Sequence, residues 1–203
     1  MQSALDLSPD LAGLTAPVVY LVVFGFVFVE SGLLVGFLLP GDSLLFAAGL
    51  VAAAEGSGVS LTVLIAGVLV AAVGGDSVGY AFGARLGRPW LRRRVEGGRL
   101  DARYLRRTEA FYERFGWFAV VTARWIPWVR TFTPILAGAA RMPYRRFLPA
   151  NVAGAVVWGP GLLLLGYYAA ANPAVRHTSY VVAGAFIAGT LVVAVVGVVR
   201  RRR

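Results

Sequence analysis

The chain has 203 residues, 58% of them hydrophobic and only 15% charged, with a formal net charge of +10. Soluble domains carry about a quarter charged residues, so this composition describes an integral membrane protein, with room at about 20 residues per spanning helix for one membrane domain of five or six segments. All twenty basic residues are Arg, Cys is absent and His177 is the one histidine, which excludes disulfides, thiol catalysis, Cys-based metal sites and a His-rich phosphatase centre.

Residues 1–16 hold two Asp and no Arg and lack the basic start and small-residue cleavage site of a secretory signal, so they read as a retained, non-cytoplasmic leader. Residues 17–54 form an apolar hairpin split by Pro40-Gly41-Asp42, a turn sequence. A spanning helix over 60–83 follows, then a basic amphipathic link over 85–114. Residues 115–140 are a second broken hairpin, interrupted by Pro127 and Pro134 and carrying Arg124 and Arg130 among apolar neighbours. Spanning helices over 147–171 and 179–203, the latter with an Arg tail, complete the chain.

Arginine counts orient these elements. The 85–114 connection holds ten Arg, the 141–146 link three and the tail four, whereas residues 1–16 and 55–59 hold none. By the positive-inside rule the Arg-rich connections and the C-terminus are cytoplasmic. Hairpin 115–140 then starts and ends inside, and hairpin 17–54 starts and ends outside. The predicted fold is all-α: two opposed re-entrant hairpins plus about three spanning helices, as in inverted-repeat transporters whose broken helices meet near the bilayer midplane. A weak echo, Asp42 to Gly79-Tyr80 and Arg130 to Gly166-Tyr167, accords with a repeat. Reading 17–39 as a full span with a cytoplasmic N-terminus stays open.

Glu30, Asp42, Asp76, Arg124 and Arg130 stand inside apolar stretches. Each costs roughly 2.5–3.5 kcal/mol at the centre of a membrane helix, so they must be paired, hydrated or protonated. If the hairpin tips meet, Glu30 and Asp42 lie near Arg124 and Arg130. Internal salt bridges would account for these residues, but buried ion pairs gain little over apolar packing; a water-lined anion site accounts for them more simply. Pro127 lets Arg124 and Arg130 converge, and their donor forks suit phosphate. Burial favours the neutral form of a carboxyl group, so Glu30 or Asp42 could carry protons. Asp76 is expected to cap or pair locally, the glycines from Gly74 to Gly87 to serve helix packing, and Trp117, Trp125, Trp128, Tyr144, Trp158, Tyr167 and Tyr168 to be partly interfacial anchors. The Arg92–Arg114 stretch suits anionic lipid headgroups rather than nucleic acid, and His177 reads as a solvated loop residue.

Several of these residues together resemble one family. Glu30, Pro40-Gly41-Asp42, Gly75-Asp76, Tyr80, Gly83, the block Arg124-Trp125-Ile126-Pro127-Trp128-Val129-Arg130-Thr131 with Pro134, Ala137-Gly138, Met142-Pro143-Tyr144, Phe147, Asn151, Gly154 and Trp158 are similar to the DedA family, also called VTT-domain or SNARE-associated membrane proteins. The resemblance covers about residues 20–170. One departure is Ala84, where Arg commonly follows the glycine; Arg85 is the nearest substitute. The resemblance implies a lipid transporter without enzymatic activity or cofactor, using the proton-motive force to recycle undecaprenyl phosphate across the bacterial inner membrane. It assigns proton coupling to Glu30 and Asp42 and phosphate binding to Arg124 and Arg130. Pro40, Gly41, Asp76, Tyr80, Pro127, Pro134, Gly138, Asn151 and Trp158 support them. The implied partners are membrane lipids and protons, with room for a homo-oligomer. A phosphatidylethanolamine-type scramblase would need little proton-motive force, an ion antiporter would not need the Arg pair, and a lipid phosphatase lacks its usual acid and nucleophile.

Overall fold

Membrane helices without a hydrophobic driving force between them pack where small residues let backbones approach, and the glycines of this chain mark those places. The computed structural model describes residues 8–32, 41–98 and 101–172, all-helical apart from turns and short connections. The helices are α1 (Ser8–Gly32), α2 (Gly41–Ala53), α3 (Leu61–Phe82), a π-helical turn (Gly83–Gly87), α4 (Arg88–Glu96), α5 (Ala102–Ala123), α6 (Pro127–Ala139) and α7 (Tyr144–Ala171). Residues 1–7, Pro40, His177 and the expected helix 179–203 with its Arg tail lie outside the described residues.

Among the described residues, two helices are long and apolar enough to cross a membrane, Leu61–Glu96 and Tyr144–Ala170. They coincide with the runs expected over 60–83 and 147–171. The helices α2 and α6 have 13 residues each, about 20 Å at 1.5 Å per residue, against about 30 Å of hydrocarbon. Helix α1 begins at Ser8, inside the expected leader. The basic link and the first arm of the second hairpin also differ from expectation. Gly97 and Gly98, the latter at φ 67°, end α4, and α5 then runs unbroken from the Arg-rich segment into the apolar one. Its start is capped by Asp101, which accepts from the Arg103 N–H at 2.8 Å.

Two compact units emerge. The first gathers α1 up to Val27, α2, α3 up to Leu69 and α7 from Gly159. Here a Cβ on Gly49 would overlap the Leu163 carbonyl, and one on Gly166 the Phe46 carbonyl, so α2 and α7 lie backbone to backbone. The residues around this crossing are apolar: Leu50 and Ala170, flanked by Phe46, Ala47, Ala53 and Ala169.

The second unit comprises α1 from Phe28, α3 from Val70, the π-helical turn, α4 to α6 and α7 up to Trp158. A Cβ on Gly83 would overlap the Ile135 carbonyl, and one on Gly138 the Tyr80 carbonyl. Gly75 meets α1 in the same way, against Phe28 and Ser31. Tyr80 stacks on the fully buried Phe147 at 4.8 Å and donates its hydroxyl to the Met142 carbonyl. Helix α6 closes with a two-bond cap: the Met142 N–H donates to Ala137 O at 3.0 Å and the Arg141 N–H to Gly138 O at 3.2 Å. Arg141 therefore adopts φ 60°, a position where glycine is usual.

Candidate functional site

The site begins with a local rule. A residue that precedes proline is disfavoured in the α conformation, and Ile126, before Pro127, is extended at φ −112°, ψ 107°. Helix α5 therefore stops at Ala123, a tight turn follows, and α6 starts at Pro127, whose missing N–H costs nothing in a first turn. Pro134, the second expected break, stays inside α6. Breaking the chain between Arg124 and Arg130 gives their guanidinium groups a common target. Both lie over the Trp158 ring, at 5.3 and 4.8 Å from its centroid, within cation–π range. Gly154, one helical turn before Trp158, leaves room for the Arg124 alkyl chain: a Cβ there would come within 3.1 Å of Cδ.

Each arginine has a carboxylate partner. The Arg124 Nη1 donates to Asp76 Oδ2 at 2.5 Å and to Asn151 Oδ1 at 2.6 Å. The Arg130 Nη2 donates to Glu30 Oε1. Most are deeply set: Glu30 is 3% exposed, Asp76 4%, Arg124 7%, Asn151 1% and Trp158 5%, while Arg130 is partly buried. These residues line a cavity with about 20 Å³ open to the centre of a water molecule. That space suits about one water and is too small for a phosphate group. Two cations and two anions balance within it, and each pair needs its partner, because an unpaired buried charge costs several kcal/mol.

The other expected residues fall in several places. Gly41 opens α2, and Asp42, half-buried in the first turn of α2, belongs to the first unit. Tyr80 and Gly138 shape the packing of α3 against α6, and Pro134 lines the cavity. Asp76, expected to pair locally, pairs instead with Arg124 across 48 positions. Trp158 is buried beneath both arginines rather than placed as an interfacial anchor, whereas Trp117, Trp125, Tyr144 and Tyr168 are exposed. Arg85 is exposed; the inward arginine is Arg88, which donates to the Ala139 carbonyl at 3.0 Å and pairs with Glu109 at 2.9 Å.

Thr131, which belongs to the block that resembles the family, lines the cavity too, as do Ser31 and Thr133, which the sequence analysis does not single out. The signal for the two threonines is the run Arg130-Thr131-Phe132-Thr133-Pro134, polar residues within an apolar helix. Among the described residues, no three His, Cys, Asp or Glu side chains converge as a metal site requires.

Residues 39–168 match the family model of the VTT domain. The chain is 37% identical over 174 residues to the uncharacterized membrane protein Rv0364 of Mycobacterium tuberculosis, an alignment covering 86% of this chain and 76% of that protein. It is 35% identical over 185 residues to Protein DedA of Escherichia coli K12, covering 91% and 84%. A Mycobacterium leprae membrane protein, ML0287, is 40% identical over 151 residues, covering 74% and 66%. No solved structure matches the chain.

Proposed function

The chain is a membrane protein belonging to the VTT-domain family, to which DedA also belongs, and on that premise we propose that it is a proton-motive-force-dependent flippase that recycles undecaprenyl phosphate across the bacterial inner membrane. The observation that carries this reading is the arginine pair, Arg124 buried and Arg130 partly buried. Two guanidinium groups, held over one indole and balanced by two carboxylates, form an anion site that apolar packing would not require. Arg124 and Arg130 take the lipid phosphate while the polyprenyl tail stays in the bilayer.

In this reading 17–54 and 115–140 are re-entrant hairpins entering from opposite faces, and the C-terminus is cytoplasmic. The 13-residue lengths of α2 and α6 support it, since neither spans the hydrocarbon core alone. So does α5, where the Arg-rich stretch ends at Arg114 and exposed Phe115, Trp117 and Phe118 follow. Returning a phosphate head toward the negative side costs about 2.3 kcal/mol per charge per 100 mV. Inward proton movement through the carboxylates offsets that cost, with Glu30 and Asp42 the residues to which the family resemblance gives this role.

The test is transport in proteoliposomes of undecaprenyl phosphate against phosphatidylethanolamine, with and without an imposed proton gradient. The reading expects movement of the first lipid only, dependent on the gradient and abolished by Arg124→Ala or Arg130→Ala. Equal, gradient-independent movement of both lipids would replace it with a scramblase.

A further inference from the structure

Resting on the reading above, we propose that Asp76 and Glu30 leave the arginines by taking up protons as the phosphate enters, so that the protons bound equal the negative charge of the headgroup, and that Asn151 contributes a neutral donor to the phosphate. Three observations lead there. The first is occupancy. Asp76 and Asn151 already hold Arg124, and Glu30 holds Arg130. With about 20 Å³ of space beside them, a phosphate cannot be added next to the carboxylates and has to take their place.

The second is charge. The groups facing the cavity are Glu30 from α1, Asp76 from α3, Arg124 from the end of α5 and Arg130 from α6, while α7 contributes the neutral Asn151 and Trp158. Their charges sum to zero. A phosphomonoester dianion entering without protons would leave the buried site two charges negative, which desolvation forbids. Two protons, one on each carboxylate, restore neutrality, and a phosphodiester monoanion needs only one. Each proton comes from the water on the face where the lipid enters and forms a carboxyl O–H as the phosphate oxygen replaces the carboxylate on the guanidinium N–H. It is released on the other face when the phosphate leaves and the carboxylate pairs again.

The third is the unfilled donors. Arg124 Nε and Asn151 Nδ2 are buried N–H groups without a protein partner. Asn151 turns its oxygen to Arg124, which leaves the amide nitrogen for another acceptor. Donors in this setting fit an oxyanion and not a cation.

Calorimetric titration of the purified protein with farnesyl phosphate and with its methyl ester, at pH 8 in buffers of different ionisation enthalpy, counts the protons taken up. At that pH the monoester, with a second pKa of about 6, is a dianion. The expected counts are two protons for farnesyl phosphate and one for the methyl ester. Asp76→Asn should lower the first count to one, and Asn151→Leu, which removes the donor without adding charge, should weaken farnesyl phosphate about tenfold. Equal counts for the two ligands overturn the inference using the wild-type protein alone, even where a variant does not fold. An unchanged count in a folded Asp76→Asn protein, or unchanged affinity in a folded Asn151→Leu protein, also overturns it. If wild-type protein binds neither ligand, the functional reading itself fails and this inference falls with it.

Discussion

The first and second units are held by crossings of one design with different surroundings. In the first, the 13-residue α2 meets α7 through Gly49 and Gly166; in the second, the 13-residue α6 meets α3 and the π-helical turn through Gly138 and Gly83. Alanines, leucine and phenylalanine surround the first crossing. The second unit adds Glu30, Asp76, Arg124 and Arg130, nearly all withdrawn from solvent. Since the first unit's crossing packs as closely without such charges beside it, close helix approach does not depend on the ion pairs. That difference is what the proposed function reads as charges kept for a ligand.

The largest predicted effect breaks the charged side of this comparison. Asp76→Ala should destabilise the protein by about 3–5 kcal/mol, because it strands Arg124 in the interior. The double replacement Asp76→Leu with Arg124→Met should recover most of that loss in thermal unfolding and still fail in lipid transport. A double variant that transports normally would reduce the ion pair to a packing element.

Next in size are the crossings themselves. Gly49→Val and Gly138→Val each force backbones apart and should each cost about 1–3 kcal/mol. Unfolding midpoints that fall in both variants would establish that the two crossings bear load alike; a drop in one alone would show that the likeness is only geometric.

A smaller effect lies at Tyr112, in the Arg-rich part of α5. Burial pushes its phenol up to about 12 despite a hydrogen bond with Thr133. The folded protein therefore keeps a proton that the unfolded chain loses near the ordinary value of 10.0, and stability falls as pH rises between these values. Tyr112→Phe should cost about 1 kcal/mol at neutral pH and flatten this alkaline decline, as read from unfolding curves at several pH values. The smallest effect should stabilise: Arg141→Gly removes a left-handed non-glycine residue and should add about 0.5–1 kcal/mol in the same unfolding assay.

The sequence exposed those parts of the fold that rest on local rules. Apolar length located α3 and α7, and Pro127 announced a break that brings Arg124 and Arg130 together. Pro134 misled, because α6 continues through it to Ala139. The pairing of charges could not be read in this way. Nothing local in Gly75-Asp76-Ser77 points to an arginine 48 positions later, and only the fold turns Asp76 toward it. Trp158 followed the ordinary preference of tryptophan for interfaces until two guanidinium groups were found against its ring. Arg88 was hidden among ten arginines of one basic segment, and burial alone separates it from Arg85.

The π-helical turn explains how Arg88 comes to face inward. The Arg88 N–H bonds the Gly83 carbonyl, five residues back, so this turn holds one residue more than an α-helical turn. Each α-helical residue rotates the chain by about 100°, and the helix beyond Gly87 is out of phase with the helix before Gly83 by about that angle. The turn works as a phase shifter between two addresses: Asp76 is aimed at Arg124 by the upstream register, and Arg88 at Glu109 and Ala139 by the downstream one. Deleting one residue between Gly83 and Gly87 would leave the first address intact and rotate the second away. A one-residue length difference here would thus change the Arg88 latch on α6 without disturbing the ion pairs of Asp76 and Glu30.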